Sequence, residues 1–117
     1  MIDDNRDMTD AISFYLSSIN IECQITNSGR EGLEIVRHNA DSHDVILLDL
    51  AMPEFNGIDV FSALKEEGLL KVRNVVIFTA SNIADKEIEQ MLADGAKAIL
   101  RKPLSVEELE ATIKRFV

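Results

Sequence analysis

Apolar residues along the chain fall into two alternating patterns, short unbroken runs and longer stretches with helical spacing. Residues 45–48 and 75–78 are uninterrupted apolar runs, residues 98–100 make a third, and residues 23–25 and 1–2 are weaker ones. Continuous rather than alternating apolarity suits strands covered on both faces, as in a parallel sheet. Between these runs lie amphipathic stretches. Met8, Ile12, Leu16 and Ile19 recur at helical spacing, and so do Val106, Leu109, Ile113 and Phe116, with Glu107, Glu108, Glu110, Lys114 and Arg115 on the opposite face. Two helix starts carry a capping box, Ser28 with Glu31 and Ser105 with Glu108, in which the hydroxyl accepts from a helical amide and the carboxylate reaches back to the cap. Residues 58–67 and 83–94 complete the helical set, stopped by Gly68 and Gly95.

Five strand–helix alternations call for a parallel sheet with right-handed crossovers and helices on both faces. The small-domain solution is an α/β, flavodoxin-like (βα)5 doubly wound sheet with strand order 2-1-3-4-5, whose crevice lies at the carboxyl ends of the first and third strands. Only two residues precede Asp3, so the first strand is clipped at the N-terminus. The expectation is that the natural chain extends upstream.

Composition narrows the setting. The chain has 117 residues, consistent with one domain over 1–117, with 46% hydrophobic and 28% charged positions, ordinary for a globular fold and too apolar for a disordered acidic tail. Twelve Lys and Arg against 21 Asp and Glu give a formal charge of −9, which argues against direct contact with a nucleic-acid backbone. Cys23 is the single cysteine, which suits a reducing, cytoplasmic compartment. The longest stretches without a charge, residues 11–21 and 74–84, fall well short of the ~20 residues needed to span a bilayer. No secretory leader is visible, and no membrane insertion is expected.

The residues that follow each apolar run are sorted by chemical type. Asp3 and Asp4 follow the first, Asp49 the third, Thr79-Ala80 the fourth and Lys102-Pro103 the fifth. Three carboxylates, a hydroxyl and an ammonium thus share one rim of the sheet. Converging carboxylates repel unless a cation lies among them, and a hard divalent ion such as Mg²⁺ suits oxygen ligands. A carboxylate can also attack phosphorus and form an aspartyl phosphate. Phosphoryl transfer asks little of a protein beyond positioning and positive charge, which Lys102 and a divalent ion would supply.

The constellation Asp3-Asp4, Asp49 with Met52-Pro53 and Gly57, Thr79-Ala80, and Lys102-Pro103 resembles the receiver domain of two-component response regulators. The resemblance spans essentially the whole chain. It implies that Asp49 is the phosphoacceptor, that Asp4 binds Mg²⁺ directly and Asp3 through water, and that the Ala51 backbone carbonyl is a further metal ligand. It also implies that Thr79 bonds the phosphoryl group, that Lys102 pairs with a phosphoryl oxygen, and that a cis peptide precedes Pro103. A histidine kinase or phosphotransfer protein would be the donor. An unidentified downstream protein would read a surface built from residues 83–94, 98–100 and 106–116. The chain would then be a signalling switch rather than an enzyme, assisting its own phosphorylation and hydrolysis, with no output domain of its own. Ile99 stands where the family often has a switching aromatic, so coupling of Thr79 to an aromatic cannot operate as such.

Other readings fare less well. A calcium loop beginning at Asp3 would need Gly at Met8 and Glu at Phe14. Gly29 and Gly32 fit neither common phosphate-cradling spacing. A flavin carrier on this fold would need a Ser/Thr/Gly-rich loop where this chain has acids that repel phosphate. His38 and His43 read as solvated surface, Cys23 as a small buried apolar residue, and Gly57 as a turn or helix start. A phosphorylation-independent interaction module with the same fold is the remaining alternative.

Overall fold

The computed structural model describes residues 1–38, 45–50, 57–79, 84–102 and 105–116. Three of the apolar runs become strands: β1 (Ile46–Asp49), β2 (Val75–Thr79) and β3 (Ala98–Arg101). They pair in parallel in that order, with Asp49 beside Phe78 and Thr79 beside Arg101. The two N-terminal runs do not become ladders. Ile2 instead makes one parallel bridge to Thr26 and one to Leu48. Ile2 therefore lies between the Thr26 segment and β1, which gives the neighbour relations of a 2-1-3-4-5 sheet. Two local features curtail these two N-terminal segments. Gln24 interrupts the apolar run near Thr26, and Asp3 already turns the chain, its carboxylate accepting from the Asn5 N–H at 2.9 Å.

Helices cover both faces. On one side, α2 (Gly29–His38), α3 (Gly57–Glu66) and the short α4 (Leu69–Val72) bury Leu33, Val36, Val60, Phe61, Leu64 and Leu70 against Ile46, Leu48, Val75 and Ile77. On the other, α1 (Arg6–Ser18) and α6 (Val106–Lys114) bury Ile12, Leu16, Leu109 and Ile113 against Leu47, Val76, Phe78 and Leu100. Successive strand residues thus go to opposite cores, the reason the runs are apolar without interruption. The Tyr15 hydroxyl donates to Glu110 at 3.2 Å and ties α1 to α6. Cys23 is half-buried against the second core.

Helix α5 (Asp85–Asp94) is the exception, with no buried residue; Met91 is half-buried against the first core and Leu92 is exposed. β3, beside it, buries only Leu100 completely. In α6 Val106 opens the helix and is 40% exposed, while Thr112 joins Leu109 and Ile113 in the buried stripe.

The caps follow local chemistry. Ser28 and Ser105 each accept from the amide three residues on, at 3.3 Å. At the second cap the Ser105 hydroxyl donates to Glu107 at 2.8 Å. Asn5 caps α1, its side-chain oxygen accepting from the Met8 N–H at 3.1 Å. Gly68 and Gly95 adopt φ of 73° and 128°, conformations that L side chains rarely reach, and separate α3 from α4 and α5 from β3. Among the described residues no helix is long and apolar enough to cross a membrane.

Candidate functional site

Parallel pairing places the acids side by side. The Ile2 N–H donates to Leu47 O at 2.8 Å and the Asp49 N–H to Ile2 O at 2.9 Å, so Asp3 leaves the sheet next to Asp49. Carboxylate oxygens of Asp3, Asp4 and Asp49 all lie within 4.8 Å of one another. Asp3 and Asp49 are fully buried, whereas Asp4 is exposed. The Lys102 Nζ reaches in from the end of β3, 3.3 Å from Asp49 Oδ1 and 3.7 Å from Asp3 Oδ2, and rests 4.9 Å above the Phe78 ring. The ring holds the long side chain over the acids through a cation–π contact.

The Asp3 carboxyl is pushed up from 3.8 to about 6, chiefly by burial and in part by the neighbouring Asp49, while the Asn5 N–H and Lys102 oppose the rise. Asp3 Oδ2 is buried and accepts no hydrogen bond among the described residues. Its hard oxygen, two neighbouring carboxylates and an open side at Asp4 fit a divalent cation such as Mg²⁺.

Thr79 is buried at the end of β2. Its carbonyl accepts from the Lys102 N–H at 2.7 Å, which fixes the end of β2 and the base of the lysine together. The structure therefore brings Asp3, Asp4, Asp49 and Lys102 into one cluster, with Thr79 joined through the backbone. Ala51 and Pro103, with Met52, Pro53 and Ala80, lie outside the described residues. His38 is an exposed surface residue, as expected, 3.0 Å from Glu34; His43 lies outside the described residues.

Three supports of this cluster had no role assigned from the sequence. At Gly57, a Cβ would lie 1.8 Å from Asp49 O and 2.5 Å from Leu50 Cα, so the start of α3 packs directly on the backbone that carries Asp49. Asn5 both caps α1 and orients Asp3. Asn27 donates from Nδ2 to Asp3 O at 2.7 Å. The helix-cap preference of Asn ahead of an apolar stripe was a signal for Asn5. Gly57 stands in the motif quoted with Asp49 and reads there as a turn or helix start, whereas Asn27 carries no local signal because it acts on a residue distant in sequence.

A family model described as "Response regulator receiver domain" matches residues 1–114. The chain belongs to that family. Among curated proteins, this receiver domain is 30% identical over its full length to the regulatory protein LuxO of Vibrio cholerae, covering 25% of that protein. It is 28% identical to the transcriptional regulatory protein CrdR of Helicobacter pylori, over 99% of this chain and 53% of the relative. The receiver thus spans between a quarter and about half of these relatives. Among solved structures, a response regulator receiver domain protein from Clostridium thermocellum superposes with a TM-score of 0.84 at 31% identity, covering 97% of this chain and 88% of that one. The receiver domain of Francisella response regulator 1452 gives the same TM-score at 26% identity, covering 98% and 91%. These relations place the receiver in two-component signalling.

Proposed function

We propose that this receiver accepts a phosphoryl group on Asp49 from the phosphohistidine of a histidine kinase or phosphotransfer protein, and that the new charge switches a protein-interaction surface. The observation that carries this reading is the buried Asp49 beside Asp3 and Asp4, with the Lys102 ammonium 3.3 Å away. A carboxylate so placed is a nucleophile held among groups suited to a phosphoryl charge.

Asp3, Asp4, Asp49 and the Ala51 carbonyl would hold Mg²⁺, which supplies positive charge to offset the carboxylates and the phosphoryl oxygens. An Asp49 oxygen attacks phosphorus; the new O–P bond forms as the P–N bond breaks, and its electron pair returns to the leaving imidazole, which takes up a proton. Lys102 offsets charge on a phosphoryl oxygen, and the Thr79 hydroxyl turns in to donate to another. Hydrolysis of the aspartyl phosphate resets the switch. In this reading the chain is no enzyme toward a separate substrate; it assists its own transfer. The readout surface is the sparsely buried side of the fold, where α5 buries no residue and Leu92 and Val106 are exposed. A ligand that prefers one of two states shifts their populations, and a covalent charge does the same.

Intact-mass measurement after incubation with acetyl phosphate and Mg²⁺ should show one added phosphoryl group, and Asp49→Asn should show none. A parent chain of unchanged mass overturns the reading and favours a phosphorylation-independent interaction module.

A further inference from the structure

Asp3 lies one residue past Ile2, the last bridged residue of the N-terminal segment, so no regular ladder holds it on both sides. Its N–H still donates to Thr26 O at 3.1 Å, the rung expected of a parallel pair. A continuing ladder would next send the Ser28 N–H to Asp3 O. Here the chain is already turning into α2, and the Ser28 N–H donates to Thr26 Oγ1 at 3.3 Å. The missing rung is supplied by a side chain: Asn27 Nδ2 donates to Asp3 O at 2.7 Å. The same amide nitrogen lies 3.4 Å from the Oγ1 of Thr9, a fully buried residue of α1 whose hydroxyl donates to Arg6 O at 3.0 Å.

We infer that Asn27 is a positioning residue for the acidic site, holding the Asp3 backbone so that its carboxylate stays within reach of Asp4 and Asp49. The inference rests on the Mg²⁺-dependent reading above. Groups that orient a ligand without touching the metal typically set its affinity by tenfold or more. Removing the Asn27 amide leaves the Asp3 carbonyl without this donor, frees the backbone to rotate, and disperses the carboxylates that share the cation.

Melting temperature measured across a Mg²⁺ series tests this. The half-saturating Mg²⁺ concentration should rise about tenfold in Asn27→Leu, which keeps the side-chain shape, and in Asn27→Ala. Thr9→Val, which removes the second partner but leaves the Asp3 bond, should lower the metal-free melting temperature with the half-saturating concentration unchanged. That split separates positioning from a general loss of stability. If the parent responds to Mg²⁺ and both Asn27 variants titrate like it, the inference fails alone. A parent indifferent to Mg²⁺ overturns the metal reading and the inference together.

Discussion

Asp3 is buried beside a second buried acid, and its carboxyl is pushed up to about 6 from 3.8, chiefly by burial. The folded metal-free domain therefore holds this proton more tightly than the unfolded chain does. Its stability carries the full Asp3 contribution below about pH 4 and loses it as pH rises through about 6. Asp3→Asn retains an acceptor for the Asn5 N–H and removes the charge. In chelator, calorimetry should show that variant melting about 5 °C higher near neutral pH, with a flatter slope between about pH 4 and 6. Gly57 poses a different constraint. A methyl group there would collide with the Asp49 carbonyl at 1.8 Å, and backbone offers no flexible end to yield. Gly57→Ala should cost about 3 kcal/mol, read from the urea midpoint, because α3 must lift from the end of β1.

At the scale of elements, the caps and the ion pairs differ in weight. Ser105 satisfies the Glu108 amide at the start of α6, so Ser105→Ala should cost about 1 kcal/mol in urea unfolding. Arg37 of α2 forms a two-pronged contact with Glu67, just past α3, at 2.8 and 2.7 Å, yet both side chains are about one-third exposed. A double-mutant cycle on Arg37 and Glu67 should give a coupling under about 1 kcal/mol that shrinks with added salt. Sequence reading found β1 and β2 because both faces of each are covered, and β3, which buries only Leu100 completely, because residues 98–100 are still an unbroken apolar run. The two N-terminal runs, weaker in the sequence, pair only through single bridges at Ile2, which apolarity alone does not distinguish from ladders. Sequence reading missed α4, whose four residues bury only Leu70 and are too few to show a period.

For the whole molecule, the rim of polar residues was legible because parallel strands all end on one side; the order of the runs was enough to gather Asp3, Asp4, Asp49 and Lys102. What stayed hidden is the scaffolding that crosses between segments, such as Asn27 onto Asp3 or Phe78 beneath Lys102, since such contacts leave no spacing in the chain. Clustered carboxylates also make a prediction for the molecule as a unit. Binding to the folded state alone stabilises it, so millimolar Mg²⁺ should raise the melting temperature of the parent and leave Asp49→Asn less responsive. Scanning fluorimetry with an extrinsic dye checks this.

An extrinsic dye is needed for melting because the chain has no tryptophan, but its solitary tyrosine is useful in its own right. Tyr15 sits at the seam between α1 and α6, and partial burial together with Glu110 raises its phenol above the ordinary 10. Phenolate absorbance during an alkaline titration therefore comes from one known position. The protein carries a built-in optical gauge of that seam, across the second core from β2. Comparing the titration curve before and after Asp49 is phosphorylated would show, without any label, whether the signal spreads to the α1–α6 face or stays on the side of α5.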